Sequence, residues 1–268
     1  MGWPVAHSRS PVIHNHWIAQ YGLSGSFVLL PVEPRNLKAA LAGLPALGFA
    51  GCSVTLPHKI AVIDSMHRLD DGARRIGAVN MVVVERDGTL TGYNTDGYGF
   101  IQSLRDAHPS WQANAGPVLV LGAGGAARAV VLSLVEHGAS EIRLCNRSQD
   151  KAEALALEFG APIKVLPWAQ RHEALVDLAL LVNTTSQGMS GQAPLDLTLA
   201  DLPTQTLVSD VIYLPLQTPL LATARARGNP TVGGLGMLLN QARPAFKAWY
   251  GVMPAITAQL LGAVQRTL

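Results

Sequence analysis

Val118-Leu119-Val120-Leu121 runs without a polar residue into Gly122-Ala123-Gly124-Gly125, and an alanine-rich stretch from Ala126 to Glu136 follows. Four apolar residues in a row suit a strand buried on both faces, as in parallel sheets. The glycines let the backbone turn tightly and approach a ligand, and the helix start after them leaves N–H groups free for an anion. Strand, glycine loop and helix in this order form the dinucleotide fingerprint, with Ala127 as the small residue at its third position. The alternation continues, with predicted strands over 141–145, 178–182, 207–211 and 230–232 and helices over 149–159 and 219–227. This predicts a parallel sheet covered on both faces, a Rossmann-like doubly wound α/β domain.

The chain has 268 residues, enough for two domains with cores of their own. Only 14% of them are charged, against about 25% in an average soluble protein, so much of the chain must be interior or interface. A net charge of +2 from scattered basic residues argues against a nucleic-acid partner. Cys52 and Cys145 lie far apart in apolar segments, which suits a reducing cytoplasm and no disulfide framework. His7, His14 and His16 lack the spacing and carboxylate partners of a metal site, so no metal is expected. The start Met1-Gly2-Trp3-Pro4 lacks a signal-peptide pattern, and the glycine cluster breaks the apolar stretch 117–135, so no membrane helix is expected either.

The first hundred residues read as another α/β unit. Strands are predicted over 27–32 and 51–56 and a proline-initiated helix over 34–42. Segments 79–85 and 89–93 form a hairpin around Arg86-Asp87-Gly88, because Asp-Gly suits its turn. Residues 236–249 and 254–268 read as helices.

Backbone N–H groups of Gly122, Ala123, Gly124, Gly125 and Ala126 are candidates for a pyrophosphate. The next strand ends in Asn146-Arg147-Ser148, with Lys151 a turn further on, where an NAD site usually carries Asp or Glu. Arg147, Ser148 and Lys151 suit a 2′-phosphate instead, so the expected cofactor is NADP(H).

A second set of motifs lies upstream: Ser53-Val54-Thr55-Leu56-Pro57-His58-Lys59, Ala78-Val79-Asn80 and Asn94-Thr95-Asp96-Gly97. Hydride transfer to a ketone builds negative charge on its oxygen, which calls for an acid or a cation. Lys59 is the candidate, with Asp96 as the partner that holds it in place, and His58 reads as a packed or backbone-bonded histidine. Singly, each such residue has an ordinary use, a solvated charge for Lys59 or Asp96 and a turn or helix cap for Ser8 or Ser10.

Taken together the motifs resemble the shikimate dehydrogenase family over nearly the whole chain. The resemblance implies that Lys59 and Asp96 contact the reacting hydroxyls, that Thr55 and Asn80 bind substrate, and that Ser8 and Ser10 bind its carboxylate. It also implies Tyr213 at the carboxylate side, Gln241 on a ring hydroxyl, and Asn183, Thr184, Gly234 and Met237 near the nicotinamide. Asn146, Arg147 and Ser148 resemble the family's NADP motif, in which many members have Arg where Lys151 stands. The expected activity is NADPH-dependent reduction of 3-dehydroshikimate to shikimate in the cytoplasm, by a monomer or homodimer with a cleft that closes over both ligands. Quinate or a related hydroxy acid as substrate, and a catalytically idle NADP sensor, are the alternatives. The expected division is 1–97 plus 240–268 for substrate and 98–239 for NADP. One departure stands out: family members have several more residues before the Gly-x-Pro of Gly2-Trp3-Pro4, which predicts a weakly anchored segment around Ser8 and Ser10.

Overall fold

A computed structural model describes residues 1–268, and the chain divides into two compact units, Met1–Asp96 with Leu239–Leu268, and Gly97–Leu238. In the first unit the helices are α1 (Ser10–Gln20) and α2 (Leu37–Gly43), the latter preceded by a 3-10 turn at Pro34–Asn36. Strand β1 (Gly51–Ser53), strand β2 (Arg68–Leu69), helix α3 (Asp71–Ile76), and strands β3 (Met81–Val84) and β4 (Leu90–Tyr93) follow. The sheet order is β1-β3-β4-β2, antiparallel except for β2 beside β4. The β3–β4 hairpin closes where Gly88 takes φ +81°, with the Gly88 N–H donating to Glu85 O at 2.9 Å.

Two expectations need correction here. Residues 27–32 do not form a regular strand: they pair only through a parallel bridge of Pro31 to Gly2, and the next ladder bond, to Val32 O, would need an N–H that Pro4 lacks. The chain start, by contrast, is firmly held. Gly2 N–H donates to Leu30 O at 3.2 Å and Val32 N–H to Gly2 O at 3.1 Å. On the other side Thr55 N–H donates to Met1 O at 2.9 Å and Trp3 N–H to Leu56 O at 3.0 Å. Residues 1–3 therefore lie hydrogen-bonded between two segments, and residues 8–10 follow an anchored start.

Helix α4 (Asp96–Ala107) leads into the second unit, where the elements are β5 (Val118–Leu121), α5 (Gly125–Glu136), β6 (Ile142–Cys145), α6 (Gln149–Phe159), β7 (Ile163–Leu166), β8 (Leu180–Asn183), β9 (Leu207–Asp210), α7 (Pro219–Ala226) and β10 (Thr231–Val232). Their order is β10-β9-β8-β5-β6-β7, every neighbouring pair parallel. This is the doubly wound order, which reverses between β5 and β8 and opens a crevice at the strands' carboxyl ends. Side-chain alternation explains the unbroken apolar runs. Val118, Val120, Leu180 and Val182 bury into one core, while Leu119, Leu121 and Leu181 bury into the core on the opposite face. Each such side chain contributes about 1.5–3 kcal/mol on full burial, so a polar residue in β5 would be costly at any position.

Helix α8 (Gly234–Tyr250) returns the chain to the first unit and α9 (Ala258–Gln265) ends it. The expected helix over 254–268 starts later, at the Thr257 cap whose Oγ1 accepts the Leu260 N–H at 3.1 Å. His14 and Trp17 of α1 pack against Phe246 of α8, with ring centroids 6.0 and 5.4 Å away. No helix is long and apolar enough to cross a membrane.

Candidate active site

Lys59 follows β1 through the Pro57-His58 turn, and its carbonyl accepts the Val79 N–H at 2.7 Å. His58 is buried, and its Nε2 donates to Val32 O at 2.7 Å, a carbonyl being able only to accept. His58 is therefore the backbone-bonded histidine, and it pins the turn that carries Lys59. From there the Lys59 ammonium reaches Asp96 Oδ2 at 2.5 Å, and the two side chains are 15% and 6% exposed. A pair so enclosed interacts more strongly than one at the surface, because less water screens it.

Asp96 opens α4, and its second oxygen, Oδ1, accepts the Asn80 amide at 2.9 Å. The same amide also faces Thr95 Oγ1 at 2.9 Å and Gln241 Oε1 at 3.2 Å, so three acceptors share its two hydrogens. Thr95 N–H returns a bond to Asn80 Oδ1 at 2.8 Å. Four expected residues, Lys59, Asn80, Asp96 and Gln241, thus meet in one network of the first unit. Thr95 joins them without having been expected; the motif Asn94-Thr95-Asp96-Gly97 was its only signal. A lysine held by a carboxylate can hand a proton to a developing alkoxide, and the neutral amides and hydroxyl around it can exchange hydrogen bonds with ring hydroxyls.

Ser8 and Ser10 share no hydrogen bond with this network. Ser8 Oγ accepts the Ser10 N–H at 3.3 Å in the turn that starts α1, which leaves the Ser8 hydroxyl proton free to donate. Thr55 turns its methyl toward Gly2, where a β-carbon would come within 2.5 Å of Thr55 Cγ2.

In the second unit, Gly122 takes φ +115° after β5, and a β-carbon there would sit 2.4 Å from Thr184 Oγ1. Only glycine fits. Thr184 itself donates through N–H and Oγ1 to Leu121 O, at 2.9 and 2.7 Å, and so ties β5 to the loop after β8 at the switch point. Gly124 precedes α5, and a β-carbon there would meet nothing within 4 Å, so the space beside the helix start is open to a phosphate. At the end of β6, Asn146 Nδ2 donates to Ser148 O at 2.8 Å, holding a bend from which Arg147, Ser148 and Lys151 are all exposed. Arg147 and Lys151 make no ion pair. Two free cations and a hydroxyl beside a glycine cradle fit a dinucleotide with a 2′-phosphate.

Asn183 is enclosed, and its side chain is engaged within the protein: Oδ1 accepts Thr185 N–H and Oγ1 at 3.0 and 2.7 Å, and Nδ2 donates to Asp210 Oδ1 at 3.1 Å and Gln187 O at 3.2 Å. Asp210, a residue not singled out from sequence, gathers that amide, the Ile212 N–H at 3.1 Å and the Thr218 hydroxyl at 2.7 Å. Burial pushes its carboxyl above the usual range, with those bonds opposing the shift. It thereby shapes the segment that carries Tyr213. Gly234 N–H donates to Ile212 O at 3.1 Å, and Met237 is buried in the core beside β10.

A glycine cradle at the switch point of a doubly wound sheet, in a chain that also buries a lysine–aspartate pair among neutral hydrogen-bonding groups, defines a nicotinamide-dependent dehydrogenase. Residues 1–82 match the family model of the shikimate dehydrogenase substrate binding domain, and residues 106–190 that of shikimate / quinate 5-dehydrogenase. The chain belongs to the shikimate dehydrogenase family. It is 55% identical to the shikimate dehydrogenase (NADP(+)) of Paramagnetospirillum magneticum, over 97% of this chain and 94% of that protein. The crystal structure of shikimate 5-dehydrogenase from Thermus thermophilus in complex with NADP(H) and shikimate superposes with a TM-score of 0.89 at 36% identity, covering 100% and 97% of the two chains. A quinate dehydrogenase from Corynebacterium glutamicum in complex with NAD gives 0.89 at 28% identity, covering 99% and 95%.

Proposed function

We propose that this enzyme catalyses the reversible NADPH-dependent reduction of 3-dehydroshikimate to shikimate, a step of the route to chorismate and the aromatic amino acids. The observation that carries the reading is the enclosed Lys59–Asp96 pair, whose second carboxylate oxygen is bound by Asn80. NADPH supplies the hydride when bound. Lys59 gives a proton to the carbonyl oxygen as that oxygen gains charge, breaking its own N–H bond and forming the product O–H, and recovers a proton from solvent. Asp96 keeps the ammonium aimed while the proton moves. Asn80, Gln241 and Thr55 orient the ring hydroxyls, and Ser8, Ser10 and Tyr213 bind the substrate carboxylate. Gly122 to Ala126 would hold the pyrophosphate, Arg147, Ser148 and Lys151 the 2′-phosphate, and Asn183 and Thr184 at the end of β8, with Gly234 and Met237 in the first turn of α8, would lie on the nicotinamide side. The enzyme works in the cytoplasm on its small-molecule substrate as a monomer or homodimer, states that analytical ultracentrifugation separates.

Quinate is the second reading, favoured by the family description that covers both acids and by the likeness to the quinate dehydrogenase. Quinate adds a hydroxyl at the carboxylate-bearing carbon, which must be desolvated and paired or lose about 1–3 kcal/mol. Absorbance of NADPH followed with each acid, and with NADP and NAD in turn, decides. Shikimate with NADP is expected to give the highest kcat/KM; comparable values for quinate would establish the second reading, and NADP binding without turnover the idle sensor.

A further inference from the structure

Asn94 has no part in the reading above, yet its side chain ties together the two segments that present Asn80 and Asp96. Its Nδ2 donates to Ala78 O at 2.8 Å, and its Oδ1 accepts the Asp96 N–H at 3.0 Å. Ala78 lies two residues before Asn80, so one planar amide spans both segments. A parallel link, Asn80 N–H to Tyr93 O at 3.0 Å, runs beside it. The Asp96 N–H is among the first of α4, whose leading N–H groups have no partner inside the helix. Thr95 stands where a threonine would cap such a helix, but its hydroxyl faces Asn80 at 2.9 Å and Gln241 at 3.5 Å. Asn94, one residue further back, accepts the Asp96 N–H, a donor that a cap at Thr95 would not reach.

We propose that Asn94 is a positioning residue that fixes the Asp96 carboxylate against Lys59 and Asn80. The inference rests on the shikimate dehydrogenase reading of the same site. It needs both arms of the amide. Aspartate keeps the acceptor for the Asp96 N–H but would set a carboxylate oxygen against Ala78 O, and serine keeps a shorter acceptor without the second arm.

A double-mutant cycle on the full chain, combining Asn94→Asp with Asp96→Asn, tests it with shikimate and NADP. Misplacing a reacting group by about an ångström can lower a rate about 100-fold, so Asn94→Asp is expected to reduce kcat by about 10- to 100-fold. NADPH affinity, titrated by fluorescence, should stay at the wild-type value, because the cofactor loops belong to the other unit. In the Asp96→Asn background the same change should reduce kcat by no more than about twofold, since a residue acting through Asp96 has little left to act on. An equal factor in both backgrounds, or wild-type kcat in Asn94→Asp, overturns the proposal. If Asn94→Asp fails to bind NADPH, Asn94→Ser goes through the same cycle and decides by the same criterion. A wild-type chain that does not turn over shikimate would overturn the functional reading and this inference with it, whereas an active wild type with an additive cycle overturns the inference alone.

Discussion

Lys59 Nζ lies 2.5 Å from Asp96 Oδ2, and the opposite oxygen of that carboxylate accepts the Asn80 amide at 2.9 Å. The carboxylate is thus bound from two sides, and the lysine is aimed by a group that cannot swing away. Lys59→Ala should lower kcat by roughly 10² to 10⁴, the range for losing an acid–base group, with a smaller change in KM. Steady-state kinetics on shikimate check this: near-normal kcat with a raised KM would show that Lys59 only binds.

Arg147 is exposed and unpaired at the end of β6, so the fold gives it no other task. Arg147→Ala should weaken NADPH by about 10- to 100-fold, the equivalent of one charge-assisted bond, and leave NADH almost unchanged. Isothermal titration with both cofactors measures the difference. Equal losses would place Arg147 on the adenine or in the fold.

Gly2→Ala would put a methyl 2.5 Å from Thr55 Cγ2 and 3.0 Å from Leu56 O. The backbone oxygen yields less readily than the side chain, so Thr55 should shift. The expected outcome is a raised KM for shikimate with unchanged NADPH affinity, and a loss of stability of about 1–3 kcal/mol from overpacking. An unaltered KM would remove Thr55 from the substrate site.

His14 is stacked on Phe27, centroids 4.3 Å apart, beside Trp17, Phe246 and Trp249, and burial there pushes its imidazole down to about 3 from the ordinary 6.5. Between those values the unfolded chain binds one more proton than the folded chain. Its contribution to stability is therefore full above about pH 6.5 and is lost as the pH falls toward 3, by up to about 1.4 kcal/mol per pH unit. Urea unfolding from pH 7.5 to 5 should show this slope, and His14→Phe should flatten it. A slope unchanged in the variant would assign the acid sensitivity to other groups.

How much of this was legible beforehand depends on what each residue has to satisfy. Strands β5 and β8 announce themselves because both of their faces are buried, which demands consecutive apolar residues. Strand β7 does not: it sits at the sheet edge, half exposed, with Lys164 in its middle. Helix α1 gives little signal either, since one of its buried positions is the polar His14, whose ring lies enclosed among aromatic groups. Asp210 was passed over as well, because nothing local shows that a carboxylate at a strand end will collect donors from two other segments.

Strands β5, β6, β8, β9 and β10, the glycine cradle and the motifs carrying Lys59, Asn80 and Asp96 were determined by the sequence itself. Each rests on local chemistry: side-chain alternation, backbone freedom at glycine, and the charge of single residues. The tertiary structure alone decided that Asn80, 15 residues from Thr95 and 161 from Gln241, would hand one amide to both of them and to Asp96. It also decided which carbonyl His58 would bond and that Asn94 would accept the Asp96 N–H. Hydrogen bonds act over about 3 Å whatever the separation along the chain, so their partners become defined only when packing brings distant segments together.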